Sequence, residues 1–230
     1  MKRPFAGLIA ALFTLNFSAN SQPYITPLIT TVAGNGSCCY TGDGGAATAA
    51  KFDDIQSVAA DAAGNLYIGD VGSNRIRKVT PAGIVTTIAG TGTAGYAGDG
   101  GLATAAQVYA PVDMAFDKLG NLYFAEGSGN KIRKVSTTGI ITTVAGTSGH
   151  GGDGGLATAA TFSGVSCIAV DTVGNLYIGE GGASYIRKVN TAGIITTIAG
   201  TSVGAGFSGD GGAATAARLT RISLSSLRRL

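Results

Sequence analysis

The chain has 230 residues, of which 13% are charged, 45% are hydrophobic and 38 are glycine. This charged fraction is about half of the usual ~25%, and together with the glycine content it is typical of many short strands joined by tight turns. The net charge of +3 comes from the two ends: two of the 16 basic residues lie in the first three positions and four in the last 13. The region between them has ten basic against 13 acidic residues, which excludes an electrostatic argument for nucleic-acid binding.

The first residues predict an export signal. Basic residues at positions 2 and 3 precede an apolar run, Phe5–Phe13, and small residues follow at Ser18–Ser21. The run is too short to span a membrane. We expect a signal peptide over residues 1–21, cleaved after Ser21 or after Ala19, and a secreted or periplasmic protein without stable membrane insertion; an uncleaved membrane anchor is the alternative.

A unit of about 56 residues repeats from position 29 onward. ITTVAG at Ile29–Gly34 returns as VTTIAG, ITTVAG and ITTIAG with offsets of 56, 56 and 54 residues. Three other motifs keep the same register, namely Gly-Asp-Gly-Gly at Asp43, Asp99, Asp153 and Asp210, Gly-Asn-Leu-Tyr from Gly64, Gly120 and Gly174, and Ile-Arg-Lys-Val from Ile76, Ile132 and Ile186. We predict a repeat domain over 22–217, with units near 29–84, 85–140, 141–194 and a partial 195–217, and an atypical tail over 218–230.

Each unit predicts four short strands in succession. In the first they are Ser57–Asp61, Asn65–Gly69, Asn74–Thr80 and Ile84–Ala89, separated by turn residues. The recurring Asp-x-x-Gly begins at Asp61, Asp117 and Asp171 and favours a type I turn. A single four-stranded meander cannot bury both faces, so we expect sheets stacked around an axis, an all-β propeller.

A glycine-rich insertion follows each TTxAG strand and runs through GDGG into Ala-Thr-Ala-Ala. We expect one turn of helix at each Ala-Thr-Ala-Ala, with the GDGG aspartate as its N-cap. The same four aspartates are candidate calcium ligands, but each loop offers only one carboxylate, so capping is preferred.

The block from Asp61 to Val79 resembles the NHL repeat, and Asp117–Val135 and Asp171–Val189 match it with small departures. The units are most similar to the long NHL repeats of exported bacterial proteins and of the teneurin-type NHL domain, which carry GDGG and ATAA insertions. The resemblance implies a β-propeller, usually of six blades, that serves most often as a binding scaffold.

Blade number departs from that pattern. The sequence supplies one leading TTVAG strand, three complete units and the start of a fourth, and residues 221–230 are unlike a blade. Because propellers close with about four to eight blades, we expect an incomplete ring: a fragment of a longer protein, a half-ring completed by a homodimer, or a nonfunctional remnant.

Most polar candidates have a structural explanation. His150, the single histidine, aligns with Tyr40, Tyr96 and Phe207 and is expected to pack like them. Asp70 with Arg75, and Glu126 with Lys131, are expected to pair across a hairpin, each pair contributing ~0.2–1 kcal/mol if exposed. The pairs Arg77-Lys78, Arg133-Lys134 and Arg187-Lys188 are expected to be solvated residues that protect sheet edges.

The cysteines, Cys38, Cys39 and Cys167, are odd in number and absent from the equivalent positions of the other repeats. An export compartment would permit one bridge to Cys167, but unpaired thiols are favoured.

We therefore predict an exported, non-catalytic propeller scaffold that binds a protein or carbohydrate partner, without catalytic residues, metal or cofactor. A lactonase- or lyase-like propeller with a central metal is the alternative, which the absence of converging His, Glu and Asp ligands disfavours.

Overall fold

The computed structural model describes residues 28–148, 151–201, 206–220 and 222. The predicted signal peptide, His150 and the last eight residues of the chain lie outside the described residues.

Three four-stranded antiparallel sheets follow one another along the chain, each a simple meander. The first contains β1 (Ile55–Ala60), β2 (Leu66–Asp70), β3 (Arg75–Val79) and β4 (Val85–Ala89). The second contains β5 (Pro111–Phe116), β6 (Leu122–Glu126), β7 (Lys131–Val135) and β8 (Ile141–Ala145). The third contains β11 (Val165–Val170), β12 (Leu176–Glu180), β13 (Tyr185–Val189) and β14 (Ile195–Ala199). These sheets confirm the predicted propeller blades, with strand bounds within about two residues of those expected.

Short elements lie between the blades. A parallel pair, β9 (Thr147–Ser148) and β10 (Thr161–Phe162), connects the second and third sheets. Four 3₁₀ helices form at the Ala-Thr-Ala-Ala segments, namely η1 (Ala47–Ala49), η2 (Ala103–Ala105), η3 (Ala157–Ala159) and η4 (Ala214–Ala216). None of the helices among the described residues is long and apolar enough to cross a membrane.

The Asp-x-x-Gly turns are closed by their own aspartate. Asp61 Oδ1 accepts the backbone amides of Ala63 and Asn65, and its Oδ2 accepts the Tyr67 hydroxyl. Gly64 completes the turn in the left-handed region, with φ of +80°, which glycine adopts at no steric cost. Asp117 and Asp171 make the same amide bonds in the next two blades.

Consecutive blades pack through their apolar faces. One core cluster joins Tyr67 and Ile76 of the first sheet to Met114 and Phe124 of the second, and another joins the second sheet to the third. At the inner strands the backbones come so close that a methyl group on Gly69 would lie 2.6 Å from the carbonyl oxygen of Pro111. Gly69 therefore has no room for a side chain at this contact between blades.

The second and third insertions each connect two blades. Ala103 of η2 accepts the Gly90 amide from the first blade and donates its own amide to the Gly139 carbonyl of the second. Ala157 of η3 repeats this arrangement with Gly146 and Gly193. Both alanines are 1% exposed, so the helical turn is a packed link between blades.

Ile222, in the predicted tail, contacts the third blade. Ile222, the last described residue, has its carbonyl oxygen 3.2 Å from Ser166 Oγ, and a methyl group on Gly179 would lie 2.8 Å from its side chain. Pro111 occupies the same place beside Gly69. Ile222 therefore contacts the third blade at the position where Pro111 contacts the first.

Candidate functional site

The GDGG aspartates do not cap the helical turns. No side-chain capping bond is made at η1, η2, η3 or η4, whose N-cap residues are alanine or leucine. In the first three insertions the aspartate contacts the blade that follows it. Asp43 Oδ1 lies 2.6 Å from the Arg77 guanidinium, and the Thr87 amide donates to Asp43 Oδ2 at 3.0 Å. The capping prediction is therefore wrong, because an arginine 34 residues later competes for the carboxylate.

The same contacts recur in the second and third blades. Asp99 lies 2.7 Å from Arg133 and accepts the Thr143 amide; Asp153 pairs with Arg187 and accepts the Thr197 amide. The three arginine side chains are at most 1% exposed. They lie on the third strand, which has a paired neighbour on both sides, so the prediction of solvated edge-protecting residues is wrong for the arginines.

The lysines of the Arg-Lys pairs point to the opposite face and lie over tyrosines. Lys78 Nζ is 5.6 Å from the centre of the Tyr67 ring, the residue opposite it on β2. Lys134 and Lys188 lie similarly over Tyr123 and Tyr177. Each motif therefore sends one cation into the blade and lays the other on a tyrosine ring.

In the second and third blades the acid at the end of the second strand reaches the same buried arginine. Glu126 Oε1 is 3.2 Å from Arg133, and Glu180 Oε1 is 3.0 Å from Arg187. The first blade has the shorter Asp70, which accepts the Asp53 amide; Tyr109 and Ser163 donate their amides equivalently to Glu126 and Glu180. These acids therefore fix the segment that leads into the first strand of the blade.

The expected hairpin pairs are corrected accordingly. Asp70 lies opposite Arg75 and Glu126 opposite Lys131 in the strand register, but both acids are 0% exposed. Arg75 donates to the carbonyl oxygens of Ser73 and Thr91 instead. Backbone amides hold the two buried carboxylates instead, that of Asp53 for Asp70 and that of Tyr109 for Glu126, because a buried carboxylate needs hydrogen-bond donors.

These environments shift the carboxyl pKa values in opposite directions. Burial would raise the pKa of Asp43, but hydrogen bonds from Tyr40, Thr87 and Arg77 outweigh it and lower that pKa; Asp99 and Asp153 are lowered in the same way. Burial raises the pKa of Glu126 to about 7, although Arg133 opposes the shift. Glu126 is therefore half-protonated near neutral pH, whereas Asp43, Asp99 and Asp153 stay ionised.

The tyrosines of the insertion pack on cations. The Arg75 guanidinium lies 3.8 Å from the centre of the Tyr40 ring, and Lys131 Nζ lies 5.2 Å from that of Tyr96. The Tyr40 hydroxyl also donates to Asp43 Oδ2 at 2.6 Å. Phe207, at the same position of the fourth insertion, is 84% exposed, and His150 lies outside the described residues.

Little of this chemistry is available to a ligand. Both carboxylate oxygens of Asp43 are occupied by protein donors, and no group of three or more His, Cys, Asp or Glu side chains that could hold a metal occurs among the described residues. Asp210 is exposed and has no arginine partner among the residues that the structure describes.

Exposed apolar side chains gather at one end of the blades, which we call the turn edge. There the first and third hairpin turns of a blade lie side by side, as Gly120 and Thr137 do, and the insertion joins them through the Leu102–Ile140 bridge. In the second blade Leu102 and Leu119 are 59% and 71% exposed; in the third, Leu156 and Val173 are 58% and 67% exposed. The sequence motifs did not indicate these positions, although apolar residues recur there at the spacing of the repeat.

Cys38 and Cys39 are not joined by a disulfide. Cys167 is buried on β11 beside Ile222, whereas Cys38 and Cys39 are exposed in the first insertion.

Comparison with known proteins agrees with the repeat and the fold. The family model described as Teneurin NHL domain matches residues 92–151 and 146–206, so the matched region spans half of the chain. The chain belongs to the teneurin NHL domain family. The predicted NHL-type propeller is thereby confirmed.

Two curated relatives place this NHL chain beside vertebrate teneurins. It is 38% identical to teneurin-3 of Mus musculus over 96 residues, 36% of this chain, and 34% identical to teneurin-1 of Gallus gallus over 98 residues, 37% of this chain. Each match covers 4% of the relative, so the NHL chain corresponds to a small part of either protein.

A solved structure from Bacteroides thetaiotaomicron, named a candidate phosphatase, superposes with a TM-score of 0.51 at 19% identity, covering 66% of this chain and 36% of that chain. At this identity the likeness concerns the fold alone.

Proposed function

We propose that this NHL chain is an exported, non-catalytic scaffold that binds a protein partner through the turn edge of its blades. The carrying observation is the recurrence of Leu102 and Leu119 in one blade and of Leu156 and Val173 in the next, all more than half exposed. Exposed apolar side chains that gather on one side of a protein mark interaction surfaces, whereas single ones need no explanation.

The polar groups support the same proposal. The buried arginines of the Ile-Arg-Lys-Val motifs, such as Arg133 and Arg187, pair with acidic residues of their own blade or insertion. These side chains therefore hold the insertion in place rather than bind a substrate. Aliphatic side chains on a rigid sheet end suit an apolar protein surface better than a sugar, which presents hydroxyl groups that need polar partners.

Photo-crosslinking from the turn edge tests the proposal. A benzophenone amino acid placed at Leu119 is expected to capture a partner from the extracellular fluid of the producing cells, whereas the same group at Gln56, exposed at the other end of the first blade, is not. A captured protein is then made pure and titrated calorimetrically against the NHL chain and against a variant with serine at Leu102, Leu119, Leu156 and Val173.

The variant is expected to keep its fold and lose at least tenfold in affinity. Equal capture from both positions, or unchanged affinity of the variant, would contradict the turn edge as the binding surface. Binding confined to a glycan array would identify a carbohydrate partner instead. A metal that copurifies at one equivalent and supports hydrolase or lyase activity would contradict a non-catalytic scaffold.

Export is tested separately. We expect the mature chain outside the cytoplasm to begin at residue 20 or 22, which N-terminal sequencing or intact mass would show. A mature chain that keeps Phe5–Phe13 would indicate an uncleaved anchor.

A further inference from the structure

Two adjacent thiols lie on the surface of the first insertion. Cys38 and Cys39 are both exposed, and their Sγ atoms are 3.3 Å apart. The other three insertions have no cysteine. The repeat therefore does not need these thiols for its fold, and the pair is a local addition to one blade.

The loop that carries the thiols is held at both ends. Asn35 donates its backbone amide to the Ala50 carbonyl and its side-chain amide to the Ala49 carbonyl. On the other side Thr41 forms a bridge with Lys51, and Tyr40 packs on Arg75. The two sulfurs are thus kept together by a pinned loop, not by a flexible segment.

The backbone between the thiols is unusual. Cys39 has φ of +80°, a region that non-glycine residues adopt rarely and at a cost. The described residues contain no cis peptide bond, and Cα atoms across a trans peptide are about 3.8 Å apart, whereas disulfides usually join Cα atoms about 4.4–6.8 Å apart. A bond between these two sulfurs would therefore be strained and easily reduced.

We propose that Cys38 and Cys39 form a redox site that closes reversibly into an eight-membered disulfide ring by exchange with small-molecule disulfides. The thiolate of one cysteine attacks the reagent, which leaves a mixed disulfide and releases one thiol. The second cysteine then attacks the mixed disulfide, forms the Cys38–Cys39 bond and releases a second thiol. Two electrons pass to the reagent, and the two protons of the cysteine thiols end on the released thiols.

The cysteine pair lies next to a residue that attaches the first insertion to its blade. Tyr40 follows Cys39 directly, and its hydroxyl contacts both Asp43 and Thr87. Closing the ring constrains the residue next to this contact, so the redox state acts on the attachment of the first insertion and on no other blade.

Mass spectrometry of the whole chain equilibrated with glutathione tests the proposal. After trapping of free thiols and trypsin digestion, both cysteines lie in the peptide that ends at Lys51, separate from Cys167. In excess oxidised glutathione this peptide is expected to lose two hydrogens without gaining glutathione. Excess reduced glutathione is expected to return it fully to the dithiol.

Matched variants make the result specific. C167S is expected to form the ring as the wild type does, because Cys167 is buried. C38S and C39S each leave one exposed thiol and are expected to carry one glutathione instead. Two glutathiones on the wild-type peptide, a bridge to Cys167, a disulfide between chains, or thiols that stay unreacted would each overturn the proposal.

Discussion

The aspartate of the GDGG motif has two environments in this NHL chain, and which one it has depends on whether an arginine follows 34 positions later. Asp43, Asp99 and Asp153 meet a buried arginine at that distance, while Asp210 has none among the described residues. The fourth copy is therefore an internal control for the other three.

Asp99→Asn is expected to lower the free energy of unfolding by about 1 to 2 kcal/mol, because it removes the charge that faces the buried Arg133 while Glu126 keeps part of the compensation. Asp210→Asn, the same change in an exposed copy, is expected to stay within about 0.5 kcal/mol of wild type. Urea unfolding of both variants measures the difference. Equal losses would show that the motif acts within its own loop, not through the arginine.

Glu126 gives a pH dependence of opposite sign to that of the insertion aspartates. Its pKa in the folded chain is about 7, above the ordinary 4.5, so the folded state holds the proton more tightly and stability falls as pH rises from 4.5 to 7. Relative to Glu126→Gln, which does not titrate, the wild type is expected to lose on the order of 3 kcal/mol between pH 4.5 and pH 8. Urea unfolding at both pH values measures this, and a constant difference would contradict the raised pKa.

Asp43, Asp99 and Asp153 lose their contribution to stability at low pH. Their pKa values lie below the ordinary 3.8, so the stabilisation is fully present above pH 3.8 and disappears as pH falls through the folded-state values. Asp99→Asn is expected to show a shallower loss of stability than wild type below pH 4, measured by urea unfolding from pH 5 to pH 2. Parallel curves for the two proteins would mean that Asp99 is not held ionised by its partners.

At the scale of elements, the sequence predicted the strands and the helical turns but not the link between them. Alternating apolar residues and turn residues such as Asp61 and Gly64 are local signals, which is why strand bounds could be predicted. The Asp43–Arg77 pair depends on strand order and on a register shift between β3 and β4 at Arg77, which no local pattern encodes. Helix capping was the nearest local explanation for Asp43, and a distant cation overrode it.

The helical turns between two blades are stabilised by packing against both of them. Ala103→Leu is expected to lower the free energy of unfolding by about 1 to 3 kcal/mol, since Ala103 is 1% exposed and the added carbons have no room. Ala214→Leu makes the same change in η4, which has no buried residue, and is expected to be near neutral. Thermal and urea unfolding compare them; a large loss at Ala214 would mean that η4 is packed in solution.

At the scale of the whole molecule, the three blades form a row in which the first packs on the second and the second on the third. The free energy of unfolding of such an array includes a contribution from each interface between neighbouring blades. The second and third insertions each have a blade on either side, and the first is attached to the blade that follows it. The fourth accepts the Gly200 amide at Ala214, but the described residues hold no following blade to receive its own amide.

Hydrogen exchange should record this difference directly. The amides of Ala47, Ala103 and Ala157 each donate to the carbonyl of a glycine in the following blade, at 2.7 to 2.8 Å, so they are expected to exchange only when the insertion separates from that blade. The Ala214 amide lacks such an acceptor among the described residues and is expected to exchange at least 100-fold faster at the same pH. The reason is that the free energy of local opening is lower there than at the insertions that are bonded to a following blade. Two-dimensional NMR after transfer to heavy water gives all four rates from one sample. If Ala214 is protected as strongly as Ala157 and its rate rises on dilution, the fourth insertion is docked on a second copy, and the ring is completed by assembly.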